Sequence, residues 1–131
     1  MNLLLDTHIW LWNDLQPEKI SSRVAQELAS SHNELWLSPV SLWELLLLVE
    51  KKRLELHQQF NQWVSESIRD LGLREAPLTW DVVQELRFTI LSHGDPADRF
   101  LVATARTFDL TLITSDQKIL RLPDLKLLPN L

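Results

Sequence analysis

Four carboxylates in this 131-residue chain have types and positions that could do chemistry together: Asp6, Glu44, Asp98 and Asp116. Asp6 ends a predicted strand, Glu44 lies about two turns into a predicted helix, Asp98 sits in the first turn of another, and Asp116 follows a later strand. Carboxylates held a few ångströms apart raise one another's pKa, and burial adds to the cost, so their company becomes tolerable once a cation joins them. Cysteine is absent, which excludes disulfides, thiolate catalysis and Cys-ligated zinc or iron–sulfur sites and leaves oxygen and imidazole ligands. Oxygen donors suit Mg²⁺ or Mn²⁺, ions that position water, lower its pKa and offset the charge that builds on a phosphate during displacement.

Each residue also has a plainer reading. Asp6 could be a turn residue after its strand. Asp98 could favour the positive end of a helix dipole or complete a capping arrangement with Asp95. Asp116 could cap a short turn beginning at Gln117. Glu44 is the most informative, because its helical neighbours Val40, Leu47 and Leu48 are apolar. Either that helix is buried almost all round and Glu44 needs a charged or metal partner, which is the expectation, or Leu47 and Leu48 form an exposed contact surface. Ser41, one turn earlier, could donate to Glu44 or serve the helix start. Arg99 could meet a substrate phosphate, or be an exposed residue paired with Asp95. His8 and His93 lie close in sequence to Asp6 and Asp95, but a lone histidine is more often packed or on the surface. His32 and His57 read as surface positions.

Strands alternate with helices, and that order implies a parallel sheet. Leu3–Leu5 is an all-apolar strand, followed by a helix over His8–Leu15. Ser21 or Ser22 caps a helix carrying Val24, Ala25 and Leu28. Leu35–Leu37 is the second strand, after which Ser38 and Pro39 open a helix running to about Arg53. A helix carrying Phe60, Trp63, Val64, Ile68 and Leu71 stops at Gly72. A weaker strand near Leu73–Ala76 precedes a helix capped by Thr79 and running from Trp80 to about Thr89. Asp95 and Pro96 repeat the cap-and-proline signal ahead of a helix over Ala97–Phe108. Leu110–Ile113 and Lys126–Leu128 complete the strands. In open parallel sheets ligands bind beyond the carboxyl ends of the strands, where these acids fall.

The length fits one domain spanning residues 1–131. Hydrophobic residues make up 45% and charged residues 24%, an ordinary globular balance. A net charge of −5 argues against a broad basic surface for nucleic acid. Two glycines rule out a glycine-rich phosphate loop. The N-terminus lacks a signal-peptide pattern, and no apolar run approaches the roughly 20 residues that cross a bilayer, so a cytoplasmic protein is expected. Six tryptophans are many for this length. Trp10, Trp12, Trp43, Leu47 and Leu48 exceed what a small core requires and point to contact surfaces.

The segments Leu3–His8, Ser38–Glu44, Asp95–Arg99 with Ala103–Ala105, and Leu112–Asp116 together resemble the PIN-domain family, in the family's order and spacing. More narrowly the chain resembles the VapC-like toxins of type II toxin–antitoxin pairs, over essentially its whole length. The resemblance implies a three-layer α/β/α sandwich around a parallel sheet of about five strands. It implies an Mg²⁺- or Mn²⁺-dependent ribonuclease that cuts RNA with a metal-activated water, forms a homodimer, and is covered by a cognate antitoxin. Carried over by position, Asp6, Glu44 and Asp98 match the family's three most regular acids and Asp116 the fourth. Thr114 matches a polar position that helps shape the site, and Thr7 often follows the first Asp. Asp95 is an extra carboxylate of some members. Two other readings compete. A haloacid-dehalogenase-like phosphatase wants a second Asp where His8 stands, and a non-catalytic interaction domain would use the carboxylates for folding.

Overall fold

The computed structural model describes residues 1–91 and 94–131. His93, close in sequence to Asp95, lies outside the described residues. The five strands β1 (Asn2–Leu5), β2 (Glu34–Leu37), β3 (Arg74–Glu75), β4 (Thr111–Thr114) and β5 (Leu127–Pro129) form one parallel sheet in the order β3-β2-β1-β4-β5. The connecting helices are α1 (Thr7–Leu15), α2 (Ser22–Ala29), α3 (Pro39–Glu50), α4 (Phe60–Leu71), α5 (Trp80–Glu85), α6 (Pro96–Thr107) and α7 (Gln117–Leu120). Strands covered on both faces read as continuous apolar runs, which is why Leu3, Leu4 and Leu5 all lose their entire surface to the interior.

Alternation along the strands sorts the core into two layers. Leu3, Leu5 and Ile113 meet Ile9 and Trp10 of α1, Val24 and Leu28 of α2, Leu45 of α3, and Trp63 and Val64 of α4. Leu4 and Leu112 face the other way, onto Val102 and Ala105 of α6 and Ile119 of α7. The result is the expected α/β/α sandwich. Each fully buried leucine contributes about 1.5–3 kcal/mol by leaving water.

Trp10 is not part of a contact surface. It is fully buried, its ring lies 5.2 Å from that of Trp63 between centroids, and its Nε1 donates to Ser67 Oγ at 2.8 Å. Trp12 and Leu48 also pack against this core layer. Exposed apolar surface is carried instead by Trp43 and Leu46 of α3 and by Trp80, Val83 and Phe88 on and after α5.

Local signals placed most boundaries. Ser21, Ser38, Thr79, Asp95 and Asp116 are N-caps whose side chains accept a backbone N–H, and Gly72 takes the left-handed conformation that ends α4. Helix α3 stops at Glu50 rather than near Arg53, because Lys52 turns to a φ of 55° and Arg53 N–H returns to Leu48 O. The helix after Thr79 is α only to Glu85 and tightens to a 3-10 turn over Leu86–Phe88. Strand β4 begins one residue later than expected, since Leu110 N–H closes the end of α6 on Ala105 O at 2.8 Å. That shift puts Thr114 inside the sheet, fully buried.

The sheet's edges are short. Strand β3 is two residues, both charged and exposed, and β5 ends in Pro129.

Ser38 starts the helix that carries Glu44: its buried Oγ accepts Val40 N–H at 3.0 Å. Ser38→Ala is expected to cost about 1 kcal/mol. Thermal unfolding followed by circular dichroism should show Tm lower by about 3–6 °C; an unchanged Tm would mean the cap does not stabilise α3.

Candidate active site

Strand β1 pairs with β2 on one side and β4 on the other, so the chain's connections diverge at the carboxyl end of β1. Such a point leaves a crevice in which open α/β sheets bind ligands. Asp6 stands there, 6% exposed, its N–H continuing the sheet to Ile113 O at 3.0 Å. It occupies the N-cap position of α1 without making a side-chain cap, so the turn-residue reading does not account for its carboxylate. Thr114 Oγ1 donates to Asp6 Oδ2 at 2.6 Å and accepts Asp116 N–H at 3.0 Å, linking the ends of β1 and β4.

Glu44 is half-buried and receives a hydrogen bond from Thr7 Oγ1. Helix α3 is not buried almost all round. Val40, Ser41 and Leu45 are interior, Leu47 and Leu48 are half-buried, and Trp43 and Leu46 are 52% and 38% exposed. A helix that sits over the edge of a small core has too few neighbours to cover every side. Ser41 does not reach Glu44 directly; its Oγ lies 2.8 Å from Thr7 Oγ1.

Asp98 is half-buried in the first turn of α6, and Asp95 caps that helix by accepting Ala97 N–H at 3.1 Å. Asp116 caps α7 by accepting Lys118 N–H at 2.8 Å, so its plainer role is real. Arg99 turns away. Its Nε donates to Thr89 O at 2.9 Å and its Nη2 to Leu86 O at 2.8 Å, clamping the 3-10 turn that follows α5. Those carbonyls stand at the end of a tightened helix and need donors, and neither a phosphate contact nor a pair with Asp95 is the role it takes.

The electrostatics tie these acids into one group. Burial, above all, pushes Asp6 up from the ordinary carboxylate value; the Thr114 hydrogen bond and the nearby His8 oppose the rise, and Asp116 adds to it. Burial also lifts Glu44 to about 7, against the Thr7 hydrogen bond, with Asp95 and Asp6 reinforcing it. Asp98 rises to about 7 through burial and the charges of Asp6, Asp116 and Asp95, partly offset by Lys118. Asp6 is the common neighbour: its charge reaches both Glu44 and Asp98, while Asp116 acts on Asp6 and Asp98 and Asp95 acts on Glu44 and Asp98. Lys118 was missed in the sequence; its place in the helical turn that Asp116 opens was the available signal. His8 is exposed, its ring 5.5 Å from that of Trp12, at the margin of the group.

Among the described residues no three acidic or histidine side chains are gathered tightly enough to ligate one ion directly. The donor set is nevertheless oxygen-only, mutually repelling and pinned by hydroxyls. It suits a hydrated Mg²⁺ or Mn²⁺ held through a few carboxylates with waters retained.

A folded-state pKa raised above the unfolded value of about 4 means that the folded chain holds the extra protons between pH 4 and 7. The stability they confer is fully present below about pH 4 and is lost as pH rises through about 7. Tm in EDTA is therefore expected to fall between pH 5 and pH 8, and excess Mg²⁺ at pH 8 should restore part of the loss. A Tm that rises over this range in EDTA would contradict the coupled acidic group.

A match to the PIN domain spans residues 3–125. The chain is 29% identical over 120 residues to Ribonuclease VapC22 of Mycobacterium tuberculosis, covering 89% of this chain and 88% of that one. It is similar in fold to a chain of VapBC2 from Rickettsia felis, solved with a DNA fragment from their promoter: TM-score 0.72, 21% identity, 98% of each chain covered. A toxin-antitoxin complex from Klebsiella pneumoniae gives TM-score 0.66 and 18% identity over 96% of this chain and 95% of that one. The match runs from the first strand almost to the last and takes in all four acids at the divergence of β1 and β4, which removes the phosphatase reading: the chain belongs to the PIN domain family.

Proposed function

We propose that this protein is a metal-dependent endoribonuclease and the toxin of a type II toxin–antitoxin pair. The observation that carries the reading is a set of four acids, Asp6, Glu44, Asp98 and Asp116, at the sheet end where β1 and β4 part, three of them raised by burial first and by neighbouring carboxylates second. Its similarity to a protein named a ribonuclease, and to chains solved in toxin–antitoxin complexes, supports the substrate and the cognate antitoxin as partner.

Asp6, Glu44 and Asp98 would hold a principal Mg²⁺ or Mn²⁺, and Asp116 a second ion or a water. Bound there, the cation supplies Lewis acidity, lowering the pKa of water and offsetting charge on the phosphate. The chain's own residues orient the donors. Thr114 fixes Asp6, Thr7 fixes Glu44, and the N-terminus of α6 presents Asp98. Lys118 is an exposed cation whose charge reaches Asp98, and it is placed to meet the phosphate, one of the two roles open to Arg99 from the sequence. With a net charge of −5, affinity for RNA rests on such local contacts rather than on a basic face. No helix of the described residues is long and apolar enough to cross a membrane, and a cytoplasmic site of action belongs to the same proposal.

Purified protein incubated with RNA and Mg²⁺ or Mn²⁺ should cut it. EDTA should abolish cutting, and Asp6→Asn should lower it by at least ~100-fold, on the order of the loss when a group that acts in the transition state is removed. Equal cutting by both proteins would overturn the reading in favour of a non-catalytic interaction domain.

A homodimer is part of this proposal, supported by the exposed Trp80, Val83 and Phe88 on one stretch of chain. Sedimentation velocity at micromolar concentration is expected to report a dimer, and a monomer would count against it.

A further inference from the structure

Two hydroxyls lie beneath Glu44 with almost no access to solvent: Thr7 is 2% exposed and Ser41 is 0%. Thr7 Oγ1 contacts both Ser41 Oγ, at 2.8 Å, and Glu44 Oε1. A hydroxyl has one proton, and an ionised carboxylate can only accept. With Glu44 ionised, as a carboxylate holding a cation must be, the Thr7 proton goes to Glu44 and Thr7 Oγ1 accepts the Ser41 proton. The order of donation is Ser41 to Thr7 to Glu44, so it leaves α3, passes through the first residue of α1, and returns to α3 one turn later.

We propose that Thr7 is a positioning residue for the Glu44 carboxylate and that Ser41, which does not touch Glu44, acts by fixing Thr7. The proposal rests on the metal-dependent reading above. A buried hydroxyl on a helix commonly turns back to its own backbone, as Thr104 does by donating to Phe100 O at 2.6 Å. Ser41 is aimed across to another helix instead. Leaving two polar groups in the interior is unfavourable unless both are hydrogen-bonded, and here Ser41 is satisfied by Thr7 and Thr7 by the carboxylate. A half-buried Glu has three rotatable bonds to order. Anchoring one oxygen from below leaves the other in a fixed direction, and such outer partners of ligating carboxylates tune metal affinity by about 10–100-fold. Thr7 directly follows Asp6, so the same residue sets the spacing between the acid that ends β1 and the acid of α3.

Mn²⁺ binding to the full chain, measured by titration calorimetry without RNA, tests this. Thr7→Val is expected to weaken Mn²⁺ binding by about 10–100-fold, while Thr7→Ser keeps the hydroxyl and restores near wild-type affinity. Ser41→Ala should weaken binding less, and should add no further loss to Thr7→Val. Should Thr7→Val fail to fold by circular dichroism, Thr7→Ala, which also removes the donor, carries the same comparison with Thr7→Ser. Mn²⁺ binding by Thr7→Val equal to wild type overturns the proposal, as does a full Ser41→Ala loss in the Thr7→Val background. If the wild-type chain itself binds no Mn²⁺, the nuclease reading fails separately. A double-mutant cycle of Thr7→Val with Glu44→Ala, which removes the acceptor, on Tm in EDTA then decides the hydroxyl chain, non-additivity supporting it and additivity overturning it.

Discussion

Bringing several negative side chains to one end of a sheet, where water is largely excluded, is the constraint around which the rest of this structure is arranged. Asp6 bears most of it, since it is nearly buried and must lie beside Thr114 to be tolerated at all. That pairing requires β1 and β4 to be neighbours, and so requires the chain to build β2 on one side of β1 and β4 on the other. The two apolar layers hold that order in place, and the helices they carry bring Glu44 and Asp98 over the same edge. Folding thus stores an electrostatic tension, set first by burial and then by the neighbouring charges, and it raises three carboxyls, Glu44 and Asp98 among them to about 7.

Much of this was legible because it depends on short-range chemistry. The run Leu3–Leu5 followed by Asp6 announces a strand covered on both faces with a polar residue at its exit, and Ser38-Pro39 and Asp95-Pro96 announce helix starts. What escaped depends on which groups meet across the fold. Nothing local says that Leu86 O and Thr89 O lack donors, so the commitment of Arg99 to them was invisible. Trp10 looked surplus because the partner that encloses it, Trp63, is 53 residues away in the sequence and shares its helix layer. Ser41 was placed one turn from Glu44, which is correct, but its hydroxyl finds Thr7 because the first residue of α1 lies against both side chains.

The distribution of cations follows from the same economy. Arg99 and Arg106 both commit their guanidinium groups to backbone carbonyls, Arg99 in the turn after α5 and Arg106 bridging Phe88 O of that turn, at 3.1 Å, to Pro123 O between α7 and β5, at 3.3 Å. Arginine suits that work because its planar fork serves several acceptors at once. Lys118, a compact charge on a flexible stem, is left exposed beside the acids, where a mobile group can follow a ligand without a fixed partner.

The blunt margins of the sheet limit how another polypeptide can approach. On one side two charged residues, Arg74 and Glu75, offer too little backbone to template a new strand. On the other, Asn130 N–H is already given to Thr114 O, and alternation turns the nitrogen of Pro129, which has no hydrogen to donate, outward. Ribbon-like extension is discouraged at both borders, which disfavours fibrous self-association and leaves the exposed helical surfaces as the larger area for another protein to grip.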